Sequence, residues 1–243
     1  MRTLLLCLVF ASQYSSASFD WSDYSTLLKQ NIINAEKSGI RTNLVDYQSI
    51  SKDPKFSSLF ERLAAFDPTK LAGKEKMAFY INTYNLFAIK LITDHKPKQS
   101  IRDIGSWFSP VWQRPAAMLS AKTISLDTIE HKILRKMGEP RIHFAIVCAS
   151  LSCPDLRTEA YTADNLDQQL DDQTREFLAN TSKGIHIKGE EIYISKIFDW
   201  FSKDFASDKK PKNVLKYIAQ YNMEAGRFSD YETLDYNWEL NKQ

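Results

Sequence analysis

Arg141 to Arg157 reads RIHFAIVCASLSCPDLR, and its interpretation decides the fold. Ile142, Phe144, Ile146 and Cys148 alternate with Arg141, His143, Ala145 and Val147, the two-residue period of a β-strand. Most side chains on both faces are apolar, which predicts a strand covered on both sides. From Ala149 the character changes. Ala149, Ser150, Leu151, Ser152, Cys153 and Pro154 are mostly small or turn-forming, and a proline ends a ladder. The stretch predicts a buried central strand that delivers two cysteines and two serines to an exposed turn. Rigid elements followed by polar loops are where enzymes commonly place reacting groups.

Working outward, Lys70 to His95 is the longest helical pattern. Met77, Ile81, Tyr84, Ala88 and Ile92 form one stripe, and Phe79, Phe87 and Leu91 widen it until the helix is apolar nearly all round. Asn82 and Asn85 share one side of it. Earlier, Trp21 to Lys37 and Lys55 to Phe66 read as amphipathic helices, and Leu44 to Ile50 as a short strand or turn. Residues 97–120 lack a period and carry Trp107 and Trp112; they read as a loop packed on itself or as the wall of a groove. Lys122 to Ile124 reads as a strand. Ser125 then caps a helix to about Met137 whose apolar face includes Glu130, with His131 on its edge. Beyond the central stretch come a helix over 163–178, a hairpin over Gly184 to Ser195 and short helices at 197–205 and 214–221. A terminal strand over Tyr236 to Leu240 closes the chain. No repeat or linker interrupts it. The pattern predicts one α+β domain: a mostly antiparallel sheet with a buried central strand, packed by several helices. Residues 18–69 read as an N-terminal helical segment packed on the domain of residues 70–243.

Arg2, the apolar run Leu4 to Ala11 and the small residues Ser15, Ser16 and Ala17 read as a signal peptide over residues 1–17. The run is far shorter than the ~20 residues that span a bilayer, so the expectation is an exported, periplasmic or extracellular protein without a membrane span. Cys148 and Cys153 are then the only cysteines of the exported chain. The chain is 43% hydrophobic and 26% charged, which is globular, and its net charge of +2 without a basic block argues against nucleic acid. No phosphate-cradling glycine loop is present, and no cofactor is expected. Glu130-His131 is not a His-Glu-x-x-His helix and the cysteines lack finger spacing, so no metal is expected either.

The chemistry narrows to two readings. In the first, Cys148 is a nucleophile. His143 lies five residues back in the expected strand, about 16 Å away and on the opposite face, which removes it as the base. His95 and His186 read as surface residues. His131 remains as the base, with Asn85 or Asn82 as its orienter, since Glu130 as a helical neighbour faces elsewhere. Ser150 and Ser152, with Trp107 and Trp112, are the substrate-binding candidates. Glu130 with Arg141 reads as an ion pair, and these two with His143 as the structural polar set. The result is a thiol-dependent hydrolase or acyltransferase acting on an amide or ester of a peptide or small molecule. In the second reading the two cysteines pair, as exported cysteines commonly do, and the turn belongs to a non-catalytic binding domain.

Four segments carry a family resemblance: Ala78 to Asn85 (AFYINTYN), Ser125 to His131 (SLDTIEH), Arg141 to Pro154, and Tyr236 to Asn241 (YNWELN). With them the chain resembles the bacterial and plant family known as domain of unknown function 547. The resemblance implies an often exported domain of unassigned activity. The family commonly has Trp where Tyr80 stands and Asp where Asn237 stands, differences that touch no candidate catalytic residue.

Overall fold

The computed structural model describes residues 18–243; the expected signal peptide lies outside the described residues. The described residues open with helix α1 (Ser22–Asn31) and a hairpin of β1 (Ile32–Lys37) and β2 (Ile40–Val45). Trp21 to Lys37 is therefore half helix and half strand, not one helix. Ser38 and Gly39 both have positive φ, at 52° and 76°. That twist turns the chain directly back on itself, so Ile32 pairs with Val45 and Lys37 with Ile40. Short α2 (Tyr47–Lys52) leads into α3 (Pro54–Ala65), which Asp53 caps with Pro54 in its first turn. Residues 18–69 thus carry a hairpin as well as helices.

Helix α4 (Gly73–His95) runs 23 residues and is buried at every position from Met77 to Ile89. Its all-round apolar sequence requires a partner on each side. Tyr24, Leu27 and Leu28 of α1, Leu59 and Leu63 of α3, and Ile129 and Leu134 supply them in one large core. Two short 3₁₀ turns, Ile101–Ile104 and Val111–Gln113, cross residues 97–114. The hairpin of β3 (Ala117–Leu119) and β4 (Lys122–Ile124) follows. Thr128–Leu134 is then a π-helix, tightening to a 3₁₀ turn at Arg135–Met137 that ends on left-handed Gly138.

The central strand is not there. Ile142–Ala145 is a one-turn helix, α5, in which His143 N–H donates to Pro140 O and Phe144 N–H to Arg141 O. An apolar run buried on all sides has no period to read, and Pro140 starts a helical turn in it. Helix α6 (Leu166–Ala179) follows, then a hairpin of β5 (Ile185–Lys188) and β6 (Glu191–Ile194). Helices α7 (Lys196–Trp200), α8 (Ser202–Phe205) and α9 (Pro211–Ile218) and the short β7 (Glu232–Thr233) complete the described chain. Among the described residues the sheets are three small ones, antiparallel except where β7 runs parallel to β6. They form an α+β domain of hairpins packed by helices, with no single large sheet among the described residues. The expected terminal strand is instead an extended segment that touches the Cys148–Cys153 turn through a bridge between Ser150 and Leu240.

Helix α5 is the seam between two cores. Ile142 and Ala145 face the large one, and Phe144 joins the second, built from Phe177, Ile194, Phe198, Phe205 and Val214. Tyr236 packs against both. The candidate site opens at this seam.

Candidate functional site

Two asparagines of α4 set the site's geometry. Asn85 Nδ2 donates to Ala145 O at 2.9 Å, and its Oδ1 accepts from Val147 N–H at 2.8 Å. The side-chain amide thereby does for this backbone what a neighbouring strand would do. Asn82 treats Tyr161 in the same way, donating to its O and accepting from its N–H, each at 2.8 Å. Both amides are spent on backbone. Neither orients His131, and the orienter role expected of them is withdrawn.

The chain leaving α5 reaches Cys148, whose Sγ is bonded to Cys153 Sγ with the Cα atoms 6.2 Å apart. The turn between them is held from outside as well. Leu151 N–H donates to Glu239 O, Ser152 N–H to Asn237 O, Asn237 N–H to Ser152 Oγ and Asn241 N–H to Ala149 O. Ala149 sits at φ 59°, a left-handed conformation that a residue with a Cβ adopts only when its surroundings impose it. A disulfide sulfur has no proton, so the hydroxyl of Tyr236 donates towards Cys153 Sγ at 3.2 Å and Cys148 Sγ at 3.3 Å. Ser150 Oγ lies 3.3 Å from Cys153 Sγ, and Cys148 N–H donates to it at 3.1 Å. Cys148 is half-buried and Cys153 is only 2% exposed. With the bridge in place Cys148 is no thiolate, and the nucleophile assigned to it from sequence does not exist in this state.

Both sulfurs line a cavity of about 300 Å³. Trp112, Trp200, Phe201, Tyr236 and Trp238 form its aromatic wall, and Tyr84, Asp127, Glu130, His131 and His143 its polar side. Trp200 and Trp238 lie 5.7 Å apart at 27°, and Tyr236 is wedged against both. Glu130 comes from the π-helix, a form found disproportionately at functional sites. Its Oε2 meets the Tyr84 hydroxyl at 3.3 Å. Burial pushes the Glu130 carboxyl up to about 7, with the Tyr84 hydrogen bond and the Arg135 charge opposing the rise. Burial, with the charge of Glu130 behind it, holds the Tyr84 hydroxyl well above the ordinary phenol range.

The histidines are not placed as the sequence implied. Arg135 Nη1 lies 3.0 Å from His131 Nδ1. A guanidinium only donates, so that nitrogen accepts, and the proton of neutral His131 sits on Nε2, which faces Asp127 at 3.7 Å. Burial lowers the affinity of His131 for a proton, and Asp127 partly restores it. Its one lone pair is occupied, so His131 is not poised as a base. His143 borders the same cavity as Cys148; the strand that separated them does not form. Its Nε2 donates to Asp204 Oδ2 at 2.8 Å, and its ring stacks on Phe201 at 4.1 Å. Arg135 grips the same carboxylate through Nε at 2.6 Å and Nη2 at 2.8 Å. Burial would raise Asp204, but these bonds outweigh it and hold the carboxyl well below its usual range. Burial lowers the affinity of His143 for a proton, with Asp204 opposing.

Other expected site residues lie elsewhere. Arg141 pairs with Glu139 and Asp167, not with Glu130. Ser150 and Ser152 stand behind the cavity, Ser150 against the sulfurs and Ser152 on Asn237 N–H. Trp112 joins the aromatic wall. Trp107 does not; it and Phe108 are 93% and 94% exposed at the tip of a turn closed by Ser106 and Ser109. Asp204, Arg135, Trp200 and Phe201 were not singled out from sequence. Arg135 and Asp204 are separated by 69 residues, and no local pattern links them.

These elements define an α+β domain with a disulfide-walled, aromatic-lined cavity between two cores. Residues 68–178 match the model of a family described as "Protein of unknown function, DUF547", which supports assigning the chain to that family. The matched segment supplies Tyr84, Asp127, Glu130, His131, His143 and both cysteines, whereas Trp200, Phe201, Asp204, Tyr236 and Trp238 lie beyond it. Comparison with curated proteins and with solved structures gave no match. No described helix is long and apolar enough to cross a membrane.

Proposed function

We propose that this is an exported binding domain whose cavity takes a small molecule or peptide side chain. A planar apolar group lies against Trp200 and Trp238, and a hydrogen-bonding group reaches Glu130 and Tyr84. One observation carries the reading: a cavity of about 300 Å³ pairs an aromatic wall with a few convergent polar groups, the usual make-up of a ligand site. The disulfide supports binding over acyl transfer, because it removes the sulfur nucleophile. It also supports export, since such bridges persist mainly in oxidising compartments. Titrating oxidised protein with phenol, indole and N-acetyltyrosinamide, read by tryptophan fluorescence, tests the reading. Saturable quenching that is lost in Trp238→Ala supports it. Absence of saturation with all three probes, or an unchanged response in Trp238→Ala, refutes it. N-terminal sequencing of the secreted chain tests export, with Ser18 expected first.

A further inference from the structure

We propose that the Cys148–Cys153 bridge is an exchange-competent redox centre that oxidises a dithiol peptide or protein, an activity that goes beyond ligand binding and does not depend on it. Three observations converge. The first is placement. Both sulfurs border the cavity, with Cys148 half-buried and Cys153 sealed behind it. An incoming thiolate meets Cys148 first.

The second is the set of donors at Cys153. Cys148 N–H, the Ser150 hydroxyl and the Tyr236 hydroxyl converge on its Sγ at 3.1, 3.3 and 3.2 Å; the two hydroxyls also lie 3.3 Å from Cys148 Sγ, so the N–H is the donor particular to Cys153 and the hydroxyls are free to turn to it once the bridge opens. A disulfide sulfur is a weak acceptor and draws little from three donors. A thiolate draws a great deal. The cradle therefore matches a charge present only after the bridge opens, and a stabilised leaving thiolate leaves faster.

The third is that the turn has anchors other than the bridge. Four bonds from residues 237–241 already hold the turn, so opening the bridge leaves the cradle standing.

The chemistry balances as follows. A substrate thiolate attacks Cys148 Sγ, forming a mixed disulfide, and the Cys148–Cys153 bond breaks with its electron pair going to Cys153 as thiolate. The second substrate thiolate attacks the substrate sulfur of the mixed disulfide. The substrate disulfide forms and Cys148 leaves as thiolate. Two electrons pass from substrate to protein, and the two protons from the substrate thiols end on the protein's sulfurs or in water. A low-molecular-weight disulfide restores the bridge by the reverse exchange.

The test uses the oxidised full chain under native conditions, with dithiothreitol and a reduced two-cysteine peptide carrying tyrosine as probes. The expected results are opening of the bridge without loss of near-ultraviolet circular dichroism, and stoichiometric oxidation of the peptide. In Cys153→Ser a mixed disulfide with glutathione maps to Cys148. In Tyr236→Phe the Cys153 thiolate absorbance appears about one pH unit higher, and opening slows several-fold; Ser150→Ala shifts it in the same direction. The proposal is overturned if the bridge opens only on unfolding, if the peptide stays reduced, or if the thiolate titration is unmoved in both Tyr236→Phe and Ser150→Ala. Tryptophan quenching by phenol is measured on the same oxidised protein, so loss of the binding reading and loss of this one are seen separately.

Discussion

His143 Nε2 stands 2.8 Å from Asp204 Oδ2, and the two residues are 61 positions apart. Arg135 closes on the other side of the same carboxylate. This join ties α5 to α8 and fixes the polar end of the cavity.

Asp204→Ala removes the acceptor from a buried imidazole and from the Arg135 guanidinium. The expected loss is about 2–3 kcal/mol in urea unfolding at neutral pH. The pH dependence has a definite sign. Asp204 is depressed when folded, so its contribution is fully present above the ordinary carboxyl value of 3.8 and fades as pH falls below it. Asp204→Asn should flatten that acid limb; an unchanged limb would place the acid sensitivity elsewhere.

Glu130 has the opposite sign. Its folded carboxyl titrates at about 7 against an ordinary 4.5, so the folded state holds the extra proton. That contribution is complete below pH 4.5 and is lost as pH rises through 7. Glu130→Gln keeps an acceptor for Tyr84 and removes the titration. The variant should match the parent near pH 4 and exceed it by about 3 kcal/mol at pH 8. Equal pH profiles would mean the carboxyl is better solvated than its surroundings indicate.

Asn85→Leu is close in size but leaves Ala145 O and Val147 N–H without partners in a buried site. The expected cost is about 3 kcal/mol. Asn85→Asp keeps the acceptor for Val147 N–H but sets a buried carboxylate oxygen against Ala145 O, and should be no more stable than Asn85→Leu. Denaturant titration of the three proteins checks the order.

Replacing both Cys148 and Cys153 by Ser should cost about 2 kcal/mol, because a short loop gives little chain entropy to remove. The variant should keep the far-ultraviolet spectrum of the parent. Global unfolding would show that the outer bonds to residues 237–241 are not enough to hold the turn.

Some of the site could be read from the chain. Trp112 is legible in its loop and Glu130 in its place among Ile and Leu, while the sequence leaves the two cysteines open between a free nucleophile and a bridge, and the structure has the bridge. His131 does lie beside the site, but Arg135, one turn on, occupies the lone pair that a base would need. Asn82 and Asn85 were seen to need partners, and the structure shows those partners to be backbone. The error at Arg141 to Cys148 had the largest consequence. It put His143 on the wrong side of an absent strand.

What the amino-acid order determined by itself was local: the all-round apolar helix α4, the strand at Lys122 to Ile124, the hairpin within Gly184 to Ser195 and the family match. Each follows from side-chain period or backbone stereochemistry within a few residues. Only the tertiary structure decided the shape of Ile142 to Cys148, since a run buried on every side is compatible with strand or helix until its neighbours claim the backbone. It alone decided the Asp204 join and the aromatic wall, whose members are brought together by packing of two cores and have no sequence spacing in common.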